Sequence, residues 1–131
     1  MAVVGVGVDA IEIARVRRAI ERTPGLLGRL YTDDERARCT TSCGNLRFSG
    51  LAARFAGKEA VAKALGCGLD GFGFRDIEIV NNVDGKPETV LAAGAADRAS
   101  LIGVQIIHLS LSTSGDLALA HAVAETGSSP R

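Results

Sequence analysis

Aromatic residues make up only 4% of this 131-residue chain, so its core has to be filled by aliphatic side chains and alanine. No apolar run approaches the roughly 20 residues of a membrane-spanning helix, and no membrane partner is expected. Net charge is also lacking, with 15 Lys and Arg against 15 Asp and Glu. Bulk attraction to nucleic acid is therefore excluded, and any recognition by charge has to come from local clusters. The three cysteines, Cys39, Cys43 and Cys67, form no zinc pattern with His108 and His121, because no second close pair follows Cys39 and Cys43. An odd cysteine count argues against a disulfide scaffold; reduced thiols and a cytoplasmic location are expected. The first residues carry neither a basic segment nor a proper apolar one behind it, so no secretory signal is expected there.

What is present suits one compact domain with its own core, over residues 1–126, followed by a polar tail at 127–131. The β-branched run at residues 3–8 predicts a buried strand that ends at Asp9. A helix over residues 10–22 follows, closed by Pro24-Gly25. Its stripe of Ile13, Val16 and Ile20 is offset by about 200° from Arg15, Arg18 and Arg22, so arginines line the face opposite the aliphatic one. Thr32 is an N-cap with Glu35 as capping-box partner, opening a short helix toward Arg38. A Ser/Thr/Gly/Asn-rich loop covers 40–50. The next helix runs over 51–65 and is ended by Gly66 and Gly68. Gly57 inside it costs about 1 kcal/mol relative to alanine and suggests close approach by backbone or ligand. A glycine-rich turn around Gly71 and Gly73 leads to strands at 77–80 and 88–91, joined by an Asp84-Gly85 hairpin signal. An alanine-rich helix over 92–101 and two strands, 104–112 and 117–124, complete the chain. The class is α+β, an antiparallel sheet packed with helices.

The segment 54–63 holds Arg54, Lys58, Glu59 and Lys63 at helical spacing, a cationic ridge with one carboxylate set in it. Two readings fit Asp9 and Glu59. As a pair they would hold magnesium, which takes one or two carboxylates and fills its octahedron with water and phosphate oxygens. Otherwise Asp9 caps a helix, and Glu59 with Lys63 makes a surface pair worth about 0.3–0.5 kcal/mol. Arg54, Lys58 and Lys63 either neutralise phosphates or form a solvated helix face. Alternation in 104–112 turns Ile107, Leu109 and Leu111 one way and His108, Ser110 and Ser112 the other, giving an anion-binding strip or an ordinary solvent face. His121, among alanines and leucines, reads as a packed core or interface histidine. Gly5 and Gly7 are too little for a dinucleotide fingerprint, because the helix after them opens without a third glycine.

Taken in order, several motifs resemble the holo-acyl-carrier-protein synthase family, the small phosphopantetheinyl transferases. They are Gly5-Val6-Gly7-Val8-Asp9 running into Glu12-Ile13-Arg15, then Arg54-Phe55-Ala56-Gly57-Lys58-Glu59-Ala60 with Lys63. Asp76-Ile77-Glu78-Ile79, Asp84-Gly85-Lys86-Pro87 and His108-Leu109-Ser110-Leu111-Ser112 follow. The resemblance implies an Mg²⁺-dependent transfer of 4′-phosphopantetheine from coenzyme A to a serine of apo-acyl carrier protein, releasing adenosine 3′,5′-bisphosphate. It assigns Asp9 and Glu59 to the metal, Lys63 to the phosphates, and Arg54 and His108 to the nucleotide and its phosphates. Gly85, Lys86 and Pro87 match a loop beside the adenine, and Arg15, Arg18 and Arg22 a surface that meets the acidic carrier protein. It also implies a homotrimer with sites between subunits. Thr113 and Ser114 stand where the family often has histidine and an acidic residue, and Leu117 where an aromatic is more usual. The competing reading is a non-catalytic module of the same fold that binds coenzyme A or carrier protein.

Overall fold

The computed structural model describes residues 1–66 and 73–127. Strand β1 (Val3–Glu12) leads into helices α1 (Ile13–Arg22), α2 (Leu26–Leu30), α3 (Asp33–Arg38) and α4 (Phe48–Ala64). After a single 3₁₀ turn at Phe74–Asp76 come β2 (Ile77–Asn81), β3 (Pro87–Leu91), α5 (Ala93–Leu101), β4 (Val104–Ser114) and β5 (Leu117–Thr126). The strands form an antiparallel three-stranded sheet in the order β1-β5-β4 and a separate β2-β3 hairpin. The α+β class and most expected elements stand. Cys67, Gly68, Gly71 and the tail from Ser128 onward lie outside the described residues. Among those described, no helix is long and apolar enough to cross a membrane.

Several element bounds differ from the sequence expectation. Asp9 is neither a strand end nor a helix cap. It lies inside β1 opposite Ala120, and pairing continues to Glu12 opposite Leu117. The long β5 partner keeps the chain extended past the apolar run, and the Ile13 N–H closes the turn by donating to the Asp116 carbonyl at 2.8 Å. Helix α4 starts at Phe48, before the expected residue 51, and α2 was not expected at all: at five residues it is too short to show a period. The Thr32–Glu35 capping box is present, with both reciprocal bonds.

Helix α4 is the centre of the molecule, with buried residues on nearly every side. Alanine makes this possible. Ala56, Ala60 and Ala64 of the helix pack with Ala120, Ala122 and Ala124 of β5 in one core cluster, so helix and sheet lie close. Gly5 and Gly7 bring them closer still. A Cβ on Gly5 would stand 1.7 Å from the Ala64 carbonyl oxygen, and one on Gly7 1.8 Å from that of Ala60. This backbone approach accounts for the glycine pair that resembles part of a nucleotide fingerprint. Gly57 likewise makes room for the side chains of Ile79 and Leu111, not for backbone or ligand; its Cβ would meet Ile79 Cδ1 at 2.5 Å. Val16, Ile20, Tyr31, Cys39 and Leu51 form a second cluster beneath α1.

Candidate active site

Alternation along β1 turns Gly5, Gly7, Asp9 and Ile11 toward α4, and Val4, Val6 and Val8 outward. Since Gly7 packs on the carbonyl of Ala60, the neighbouring Glu59 is set against Asp9, two residues along the strand. Asp9 and Glu59 line a cavity of about 570 Å³ whose walls are otherwise mostly apolar, from Val16, Ile20, Leu26, Leu30, Phe55 and Phe74. Arg15 also borders it, whereas Arg18 and Arg22 point to solvent from the same helix. The expected aliphatic stripe and opposed arginines are thus both present.

Burial, reinforced by the charge of Asp9 and opposed by Lys63, pushes the Glu59 carboxyl above its ordinary range. Lys63 does not form the expected pair with Glu59. Its Nζ donates to Asp9 Oδ1 at 3.3 Å and to the Val8 carbonyl at 3.0 Å, because β1 lies directly across from it. Among the described residues no three Asp, Glu, His or Cys side chains converge. Two facing carboxylates that repel one another fit a hard cation that draws its remaining ligands from water and phosphate oxygens.

Lys58 departs furthest from expectation. It is neither part of an exposed ridge nor free for phosphate. Its ammonium is fully buried and donates to Glu35 Oε1 at 2.7 Å, to the Phe74 carbonyl at 2.9 Å and to the Ile77 carbonyl at 2.6 Å. Burial lowers its pKa, with Glu35 acting against that shift. Arg54 is buried as well, its Nη1 donating to the Gly50 carbonyl at 3.4 Å and its Nη2 to Asn81 Oδ1 at 3.2 Å. Arg54 Nε has no acceptor among the described residues, which leaves this cation under-satisfied. Asn81 Nδ2 donates onward to the Gly85 carbonyl at 2.9 Å, so Arg54 is tied to the β2-β3 turn that holds Gly85, Lys86 and Pro87. Asn82 braces that turn: its side chain accepts the Lys86 N–H at 3.0 Å, and Gly85 takes a φ of +82°.

His108 is on the other side of the sheet. Its cross-strand partner is Val123, which also pairs with the outward Val6. His108, Ser110 and Ser112 are exposed and Leu109 is buried, as alternation requires. His108 Nε2 is bonded to Glu125 Oε1. His121 is exposed on this same face between Val8 and Ser110, not packed in the core, since its strand gives the inward positions to the alanines. The chain therefore joins Asp9, Glu59, Lys63 and Arg15, and separately Arg54 and the hairpin, but leaves His108 on the opposite face. Sequence reasoning missed Asn81, the burial of Glu35 and the Phe55–Phe74 stack, whose ring centres are 5.2 Å apart. No spacing signal links these residues along the chain.

Asp9 and Glu59 thus face each other in the wall of a mostly apolar cavity, with Lys63 bonded to Asp9. The 4′-phosphopantetheinyl transferase superfamily model matches residues 5–122, and the chain belongs to that superfamily and, within it, to the holo-[acyl-carrier-protein] synthases. A holo-[acyl-carrier-protein] synthase of Chloroflexus aurantiacus is 42% identical over 133 aligned positions, covering 92% of this chain and 97% of that protein. Among solved structures, the synthase of Neisseria meningitidis superposes with a TM-score of 0.85 at 32% identity, over 95% of this chain and 100% of that one. The Bacillus anthracis synthase in complex with CoA (3′,5′-ADP) superposes with a TM-score of 0.76, also at 32% identity, over 95% of this chain and 98% of that one.

Proposed function

We propose that this protein transfers the 4′-phosphopantetheine group from coenzyme A to a serine hydroxyl of apo-acyl carrier protein, leaving adenosine 3′,5′-bisphosphate, for fatty-acid or polyketide synthesis in the cytoplasm. The observation that carries the reading is the facing of Asp9 and Glu59 in the cavity wall, with Lys63 bonded to Asp9. In this reading residues 1–126 are one transferase domain and 127–131 a tail.

Asp9 and Glu59 are the residues that would hold Mg²⁺, which when bound supplies positive charge against the pyrophosphate oxygens. Serine is a poor nucleophile at its own pKa, so its proton has to be accepted as Oγ attacks phosphorus. Glu59 accepts it, directly or through one water. The bond from phosphorus to the bridging oxygen breaks, and Lys63 places fixed charge where the leaving bisphosphate becomes more negative. Arg54 and the Gly85-Lys86-Pro87 turn bind the nucleotide. Arg15, Arg18 and Arg22 attract the acidic carrier, which raises encounter rate more than affinity.

The working unit is a homotrimer. Val4, Val6 and Val8 are 44%, 54% and 56% exposed on the outer sheet face, an apolar surface that a second copy would cover. His108 lies on that face, so a neighbouring protomer's Asp9 and Glu59 would meet this protomer's His108, completing a site that one chain leaves open. Mixing Glu59→Ala with His108→Ala protomers tests this. Shared sites predict that transfer, read as bisphosphate released per carrier, recovers in the mixture; sites within one chain predict no recovery.

A further inference from the structure

Lys58 and Glu35 are both 0% exposed, and nothing in the chemistry above uses either. Burying an ion pair is costly, and an apolar pair of similar volume is often at least as stable. The pair therefore calls for an explanation beyond stability. Its bonds supply one. Glu35 Oε1 also accepts the Thr32 N–H at 2.9 Å, and Oε2 the Ile79 N–H at 3.0 Å. Lys58 holds the carbonyls of Phe74 and Ile77, at either end of the turn that enters β2. A single buried hub thus fixes the start of α3, the middle of α4 and the segment 74–79. Phe74 is the part of that segment that reaches the site. Its ring stacks on Phe55 at an interplanar angle of 21°, and both rings line the cavity with Asp9 and Glu59. No apolar replacement for Lys58 could hold the two carbonyls.

We propose that Lys58, paired with Glu35, is a positioning residue that fixes the Phe74–Phe55 wall of the cavity and so sets how the transferred arm lies against Asp9 and Glu59, without touching it. This rests on the transferase reading above. In that reading Arg54 and the Gly85-Lys86-Pro87 turn bind the nucleotide end of coenzyme A, and neither bonds directly to Lys58 or Glu35, so the two ends of the substrate should respond differently.

The test compares Glu35→Gln/Lys58→Met, Phe74→Ala and the triple variant with the wild type. We measure thermal unfolding, kcat and KM for transfer to apo-carrier, and calorimetric affinity for adenosine 3′,5′-bisphosphate. Expected for the folded double variant is a fall in kcat/KM of about tenfold or more, since small misplacements at a reacting centre are costly. Bisphosphate affinity stays within about twofold of wild type, because none of the lost bonds is to Arg54, Asn81 or the Gly85 turn. Phe74→Ala shows a similar fall, and the triple variant falls no further, because both changes remove one effect. A folded double variant with wild-type kinetics overturns the proposal. So does a parallel loss of bisphosphate affinity, or a triple variant whose losses add. If the double variant does not fold, Phe74→Ala decides alone: an unchanged kcat/KM overturns the proposal, and a fall partly recovered by Phe74→Leu supports it. A wild-type protein that transfers nothing would sink the transferase reading and this inference with it, whereas active wild type with equally active variants sinks only this one.

Discussion

Gly7→Ala is the substitution on which the geometry of the site bears most heavily. The added Cβ would stand 1.8 Å from the Ala60 carbonyl oxygen, 2.7 Å from its carbon and 3.0 Å from the Ala64 nitrogen. Ordinary contact begins near 3.4 Å, so β1 and α4 have to separate by 1.6 Å (3.4 minus 1.8), and all three of these neighbours are backbone atoms that cannot rotate aside. Overpacking of this kind costs about 3 kcal/mol or more. For a domain of this length that is a fall in Tm of roughly 10 °C. The same movement opens the Lys63–Asp9 contact, now 3.3 Å, and draws Asp9 away from Glu59. Displacement of about 1 Å at a reacting centre is worth about a hundredfold in rate, so transfer should fall by at least that much. Circular dichroism melts and carrier-modification rates measure the two effects. Gly25→Ala is the control: no atom lies within 4 Å of its Cβ position and its φ is −63°, so it should leave both unchanged or stabilise by about 0.4–1 kcal/mol. A Gly7→Ala protein that melts within about 2 °C of wild type and transfers normally would refute the argument that this glycine sets Asp9 against Glu59.

Because burial and Asp9 raise the Glu59 pKa, its charged form works against folding, a penalty present above the folded pKa and absent below the unfolded one. Glu59→Gln should therefore raise the Tm at pH 7, with the gain shrinking as pH falls toward the ordinary glutamate range; Mg²⁺ should raise the wild-type Tm and leave the variant's unmoved. Arg18→Glu/Arg22→Glu, exposed on α1, should raise KM for the carrier about tenfold at low salt and less at high salt, with KM for coenzyme A unchanged. If the proposed trimer forms through the outer sheet face, Val6→Asp should leave only monomer in light scattering and abolish transfer while the chain stays folded.

How far the sequence could be read depended on whether a residue's role was local. The capping box, the hairpin turn, the arginine face of α1 and the alternation of β4 each rest on spacings of a few residues, and all are in the structure. Asp9, Glu59 and Lys63 could be singled out by type and motif, but the partner of Lys63 could not, since Asp9 is 54 residues away. Lys58 was the clearest misreading. Helical spacing places it beside Arg54, yet burial is decided by what packs on each side of α4, and its partner Glu35 sits 23 residues earlier. The reach of β1 past Asp9 was likewise hidden, because β5 supplies the pairing that a short apolar run does not announce. Of the two readings of His121, core or interface histidine, only the core one is excluded: period two in a strand puts its apolar neighbours on the opposite face.

The measurement that tests the central claim most directly is the intact mass of an apo-acyl carrier protein after incubation with this protein, coenzyme A and Mg²⁺. The account predicts a gain equal to one phosphopantetheine group, abolished by Glu59→Ala and by EDTA. An unchanged carrier mass across fatty-acid and polyketide carriers, or a gain that survives Glu59→Ala, would contradict it.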